Sequence, residues 1–316
     1  MSDSEVSAGR VQRLRHELRD EQIWAPADPE LADLLFAELD YARHPHAHEG
    51  TAPRYGALIA PRERPTTIVE PVSFIDVGTV PLEVLRRLAD GRSSFVVRAV
   101  GSGDRLACFD RTREFESSAV HLALATGAFV VQRLGQGWVR LTTLDGIATW
   151  DGIRWAKKPL SVRIAERIAP ALPGADPVLL ANLVEFSTHW LGAGRVGAAI
   201  VWRLDGDARE LGGLGFGSAV EIPPLDLTDR IHFAPLLNAL SQYDRAALVD
   251  ANGCVVVVGV HLQSSERSRR DIGPFRGTRH TSALRFSADV PNAVVFIVSS
   301  GGALTVARNG RRLDTD

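Results

Sequence analysis

A chain of 316 residues, 45% of them hydrophobic, exceeds ordinary single-domain size and can fill two cores. Its 36 basic and 38 acidic residues leave a formal charge of -2, which gives no general attraction to nucleic acid or anionic lipid, so any anion site must be local. Two distant cysteines, Cys108 and Cys254, without a CxxC argue against a thiolate metal site or a disulfide framework and for a reduced cytoplasmic protein.

The amino-terminal run MSDSEVSAGRVQRLRHELRDEQ has no apolar core of signal-peptide type. No later segment reaches 18 uninterrupted apolar residues, so no membrane span is expected. Residues 10–42 read as one or two polar helices, with Leu31, Leu34, Leu35 and Leu39 at helical spacing after Pro26 and Pro29. These helices are expected as an appendage. From Tyr41 to Pro71 several prolines and no sustained period read as a linker or wrapping arm, so residues 1–70 form a helical appendage with linker. Residues 71–160 then carry short strand candidates, SSFVVRAV, RLACFD, AFVVQRL and WVRLTTL, and a helix at PLEVLRRLADG ending on Gly91, a smaller α/β domain.

A second domain, residues 170–316, opens at ADPVLLANLVEFSTHWLGAG, with Asp176 as N-cap, Pro177 as first helical residue, and Gly192 and Gly194 as stops. RVGAAIVWRL is an apolar strand and TDRIHFAPLLNALS an amphipathic helix. AALVDANGCVVVVGVHL reads as strand, Asn252-Gly253 turn and strand. A last hairpin, AVVFIVSSGGALTVARNG, turns on Ser300, Gly301 and Gly302. The expected class is therefore α/β, a mixed sheet flanked by helices preceded by a smaller α/β domain. One internal echo sets ESSAVHLALATGAFVVQRLGQGWVRL beside HTSALRFSADVPNAVVFIVSSGGALTV, which marks either a degenerate duplication or a coincidence of small apolar alphabets.

The stretch GTRHTSALRFS, Gly277 to Ser287, moves from an arginine-rich loop into helical spacing. A helix start has unpaired N–H groups and a partial positive charge, so a flexible glycine followed by donors makes an anion cradle. Thr278 can cap or donate, Arg279 offers a fork of donors, and His280 is a further donor or acid. Arg267, Arg269, Arg270, Arg276 and Arg279 lie close together in this near-neutral chain and suggest a polyphosphate ligand, against the plainer reading of a solvated basic loop.

Four stretches in order, RVGAAIVW (195–202), YDRAALV (243–249), GTRHTSA (277–283) and VVFIVSSGGALTVARNG (294–310), resemble the diadenylate cyclase (DAC) domain family over roughly residues 175–312. The resemblance implies condensation of two ATP into cyclic di-AMP with release of two pyrophosphates, each ATP held by one subunit of a face-to-face dimer. It implies a divalent metal, Mg or Mn, on Asp244, and catalytic roles for Asp244, Arg279 and His280. Gly277, Thr278, Arg279 and His280 match the phosphate-binding stretch, and Ala246 matches the small residue that lets the nucleotide lie against the backbone. Three positions depart from the family pattern: Arg245 stands for a glycine, Thr281 for the second arginine of an R-H-R motif, and Ser299-Ser300-Gly301-Gly302 stands where many members place a metal-binding glutamate. Arg245 either blocks the nucleotide or supplies the guanidinium absent at Thr281, so both count as nucleotide-site candidates. In this reading the first domain senses an unknown signal; the alternative is a catalytically silent module that binds ATP or a dinucleotide and transmits its occupancy to a partner.

Weaker signals read more plainly. His44, His46 and His48 alternate as metal ligands can, but within a proline-containing linker. GGLGFGS lacks the context of a dinucleotide fingerprint and reads as a loop. The WDGIRW pair, Trp150 and Trp155, reads as hairpin packing before a ligand stack.

Overall fold

The computed structural model describes residues 3–45, 52–61, 72–76, 78–207, 219–243, 245–275, 277–313 and 315. His46, His48, the GGLGFGS stretch, Asp244 and Arg276 lie outside the described residues. The chain divides into two compact units, Met1–Leu160 and Ser161–Asp316.

In the first unit, helices α1 (Asp3–Asp20) and α2 (Pro29–Arg43) precede strand β1 (Tyr55–Ala60). Strand β2 (Val72–Asp76), helix α3 (Leu82–Leu88), strands β3 (Ser94–Ala99) and β4 (Arg105–Phe109), and helix α4 (Glu116–Thr126) follow. Four strands close the unit: β5 (Phe129–Arg133), β6 (Val139–Thr142), β7 (Ile147–Trp150) and β8 (Trp155–Lys158). One mixed sheet runs β2-β4-β3-β1-β5-β6-β7-β8.

Two expectations for residues 1–70 are corrected here. Asp28 caps α2 by accepting from the Glu30 and Leu31 N–H groups, and Leu31, Leu35, Phe36 and Leu39 bury against the sheet, so α2 is a core layer and no appendage. Leu35 and Leu39 are fully buried, worth about 1.5–3 kcal/mol each. The proline-rich run hides YGALIA, all six residues of which are buried as the central strand β1. Flanking prolines masked a strand too short and too continuously apolar to show a period. The WDGIRW stretch is the β7–β8 hairpin, Trp150 paired with Trp155 across it.

The second unit starts with a helix the sequence reading missed, α5 (Ser161–Ile168). Helix α6 (Pro177–Glu185) opens as expected, with the Asp176 carboxylate accepting from Leu179 N–H at 2.8 Å. It runs on as a π-helical stretch, Phe186–Gly192. Then come strands β9 (Ala198–Arg203) and β10 (Val220–Asp226), helix α7 (Phe233–Gln242), and strands β11 (Ala246–Val249) and β12 (Cys254–Val260). Helices α8 (Glu266–Asp271) and α9 (Thr278–Asp289) and strands β13 (Ala293–Val298), β14 (Leu304–Arg308) and β15 (Arg311–Leu313) complete it. The sheet order is β10-β12-β11-β9-β13-β14-β15. Strand β10 carries Pro223 and Pro224, which a sheet tolerates at its edge, where β10 lies.

Helices α5, α6 and α7 and the π-helical stretch pack one face of this sheet around Phe186, Trp202, Phe233 and Phe296. Helix α9 covers the other through Ala283, Leu284 and Phe286. The two sheets share one plan. In each the first strand is central, parallel to the strand two later (β1 with β3, β9 with β11) and antiparallel to the one that follows the next helix (β5, β13). Order matches strand for strand, with β8 extra in the first sheet. The two echo segments occupy corresponding places, α4-β5-β6 and α9-β13-β14.

Candidate functional site

The four central strands of the second sheet meet at one end, where β9 and β11 begin and β12 and β13 finish. A cavity of about 490 Å³ opens there, bounded by α9's first turn. Its floor is two buried alanines on adjacent parallel strands, Ala199 paired with Ala246. No side chain larger than a methyl group rises at these two positions, so the strand starts form a depression and not a packed edge.

Helix α9 enters through Gly277 at φ 110°, ψ 173°, a conformation open essentially to glycine alone. Gly277 is the N-cap and makes no side-chain cap, so Thr278 is the first helical residue and its hydroxyl is not the cap. The first turn contains no acidic residue. A helix start without its own carboxylate presents its dipole and first N–H groups to whatever fills the cavity. Thr278, Arg279 and His280 all line it.

Arg279 is seated by a residue the sequence reading left without a role. A Cβ on Gly197 would lie 2.5 Å from the Arg279 Nη1 and 3.3 Å from the Ser300 backbone nitrogen, so a larger residue there would displace the guanidinium from its place over the start of β9. The same close approach recurs behind the turn of the last hairpin: Gly302, at φ 90°, would place a Cβ 2.5 Å from the Gly192 carbonyl oxygen. That contact holds the end of the π-helical stretch against the turn that carries Ser299 and Ser300 into the cavity wall. His280 is buried, its ring 6.2 Å from that of Phe275.

The remaining candidates separate. Arg245 lines the cavity at φ 86°, the region its family glycine would favour. Thr281 turns away to the loop: its hydroxyl accepts from Phe275 N–H at 2.9 Å and lies 2.9 Å from the Gly277 carbonyl, bracing the entry to α9. The basic run also splits. Arg267 pairs with Asp271 at 3.6 Å and Arg269 donates to the Ser264 carbonyl, both on exposed α8, so of Arg267, Arg269, Arg270 and Arg279 only Arg279 lines the cavity. His261, at the end of β12, is a cavity residue that no motif flagged. Its one signal was its place just past a continuous apolar strand.

Among the described residues no group of three or more His, Cys, Asp or Glu could hold a metal ion. Hard divalent cations prefer oxygen ligands and share them with phosphates. His44, the described member of the alternating histidines, has its Nδ1 3.1 Å from the Asp40 carboxylate. Among the described residues no helix is long and apolar enough to cross a membrane.

Residues 187–312 match the family model "DisA bacterial checkpoint controller nucleotide-binding" (DAC), and residues 12–159 match "Probable sensor domain DACNK". No curated protein sequence matches the chain. Among solved structures, a hypothetical membrane spanning protein from Bacillus cereus is 22% identical, over 49% of this chain and 72% of that one, at a TM-score of 0.34. A double-cysteine mutant of DacA from Staphylococcus aureus is 18% identical, over 43% of this chain and 86% of that one, at a TM-score of 0.31.

Proposed function

Because residues 187–312 belong to the diadenylate cyclase family, behind a DACNK sensor domain at residues 12–159, we propose that the second unit binds ATP in the cavity at the start of α9 and condenses two ATP into cyclic di-AMP. The observation that carries this reading is the first turn of α9, which has no acid of its own and opens through Gly277 into about 490 Å³ beside the seated guanidinium of Arg279.

In the reaction each ribose 3′-hydroxyl attacks the α-phosphorus of the other ATP, a P–O ester bond forms, the bond to pyrophosphate breaks, and the hydroxyl proton leaves to solvent. Such chemistry needs in-line placement and charge neutralisation more than covalent help. Thr278, Arg279 and the first-turn N–H groups hold the phosphates, and Arg279 offsets charge as it shifts toward the leaving group. His280 supports the same turn as a donor. Ala246, with Ala199 beside it, leaves the nucleotide room against the strand backbone. Thr281 keeps Gly277 in its glycine-only conformation. Asp244 is the proposed carboxylate ligand of a Mg²⁺ or Mn²⁺ ion, which would share phosphate oxygens with the substrate and polarise them. One unit supplies one ATP, so turnover calls for a face-to-face homodimer. The first unit is then the sensor of a cytoplasmic signal.

The test is incubation of the full chain with ATP and Mg²⁺ or Mn²⁺, followed by product analysis. Cyclic di-AMP is expected, with none from Arg279→Ala. A second reading, an ATP-binding module without turnover, is favoured by Arg245 in place of a glycine and Ser300 on the wall where many members place a glutamate. Tight ATP binding with no product under either metal would establish it.

A further inference from the structure

Arg245 is held at φ 86°, a backbone conformation that glycine adopts freely and an arginine adopts only at a cost. A side chain kept under such strain at a cavity wall points to a role for the group it carries. Two readings of it are possible, an obstruction or a ligand contact, and the geometry separates them. The cavity keeps about 490 Å³ with Arg245 in its wall, so the side chain borders the space without filling it.

Its position relative to Arg279 supplies the rest. The Arg245 carbonyl accepts from Ala199 N–H at 3.5 Å, and the Arg279 guanidinium lies over Gly197. The anchoring points are two residues apart on one extended segment, about 7 Å. Two arginines, Arg245 and Arg279, therefore stand by the same strand start, and both line the cavity. A single phosphoryl group can engage one fork; a chain of phosphoryl groups can engage both. Thr281, at the family's second arginine position, is committed to the loop through Phe275 and Gly277, so no second guanidinium reaches the cavity from there.

We infer that Arg245 is a specificity-determining residue of this site, its guanidinium acting with that of Arg279 to select ligands by the length of their phosphate chain. The inference rests on the nucleotide reading of the cavity. ATP is favoured over ADP and more strongly over AMP, and the contact is lost when a cyclic dinucleotide, which has no polyphosphate, replaces the substrate.

The experiment measures binding of ATP, ADP, AMP and inorganic triphosphate to the full chain by calorimetry, for wild type, Arg245→Gly and Arg245→Lys, with the thermal midpoint of each. Arg245→Gly is expected to melt higher, since it relieves the positive φ, while losing about ten- to a hundredfold in affinity for ATP and triphosphate, the scale of a charge-assisted contact. AMP binding should change by less than about threefold on the same scale, so the ATP-to-AMP ratio collapses. Arg245→Lys, which keeps the charge and loses the fork, should fall between. A purely structural role would move the midpoint and leave the ratio alone. ATP bound as tightly or more tightly by Arg245→Gly overturns the inference and leaves the nucleotide reading standing. Triphosphate binding that depends on Arg245 with no ATP binding sinks the nucleotide reading and, with it, the selection of ATP over ADP and AMP. Wild type binding neither ligand defeats both.

Discussion

Two sheets with one strand order end in opposite ways. At the starts of β9 and β11 the face under α9 carries Ala199 and Ala246, and a cavity results. At the starts of β1 and β3 the face under α4 carries Gly56 and Phe95, and the ring fills the space: a Cβ on Gly56 would lie 2.6 Å from it. Phe95 packs edge-on against Phe109, centroids 5.7 Å apart, with the Arg113 guanidinium over Phe109 at 4.9 Å. Behind them Gln132 donates to the Gly91 and Arg113 carbonyls and accepts from Arg140, a buried polar network that completes the plug. The helix starts differ in the same sense. Helix α4 brings its own anion, Glu116, in its first turn, paired with Lys158, whereas α9 brings none. One plan thus gives a filled end and an end with an open cavity, and the switch lies in a few side chains.

The largest effect that can test this contrast comes from removing the plug. Phe95→Ala should destabilise the first unit by about 3–5 kcal/mol, the usual loss for a fully buried phenylalanine, read as a shifted first transition in urea unfolding. A loss below about 1 kcal/mol would mean that the ring is not the structural plug described. The converse change is Ala246→Phe, which carries the first unit's solution into the second. Because the new ring has a cavity to enter, the fold should survive, while ATP affinity should fall about a hundredfold, about 2.7 kcal/mol. ATP binding unchanged in a folded Ala246→Phe protein would place the nucleotide elsewhere.

How much of this was legible in the sequence follows from which physics is local. The Asp176 cap and Pro177 start, the turn at Asn252-Gly253 and the Gly277 entry to α9 all stand in the structure because each is decided within four or five residues. Strand β1 was not legible, since six apolar residues between prolines carry no period and take their identity from the neighbours β3 and β5. Strand β10 was hidden by its own prolines, which only an edge position excuses. Thr278, Arg279 and His280 do come together on one cavity, but the basic run overstated the cluster because α8 carries Arg267, Arg269 and Arg270 on an exposed turn. Gly197 and the φ of Arg245 belong to contacts between segments distant in sequence, and no spacing rule reports those.

A smaller effect is expected at the helix entry itself. Nothing lies within 4 Å of a Cβ built on Gly277, so Gly277→Ala meets no steric clash and isolates the backbone term. At φ 110° that term should cost about 1–3 kcal/mol of stability, or be relieved by a shift of the loop that Thr281 braces. In the second case stability is spared and ATP affinity falls instead, because the first turn moves. A variant unchanged in both would show that the entry conformation is not required.

The smallest effect belongs to the other end of α9. Asp289, its last residue, accepts from Ser265 N–H at 2.7 Å and from the Ser265 and Ser268 hydroxyls, tying α8 to α9. Partial burial raises its pKa, but these hydrogen bonds, with nearby Arg267, outweigh it, so the carboxyl sits below its ordinary 3.8. A depressed folded-state pKa means that the stabilisation is complete above the unfolded value and disappears as pH falls through the folded one. Asp289→Asn should therefore cost about 1 kcal/mol or less near pH 6, screened by its exposure, with the gap to wild type closing as pH falls below 3.8. A gap that persists unchanged at low pH would assign the loss to geometry and not to charge. ATP affinity should stay within about twofold either way, because Asp289 lies about 16 Å along the axis from Thr278, in the turn proposed to hold the phosphates.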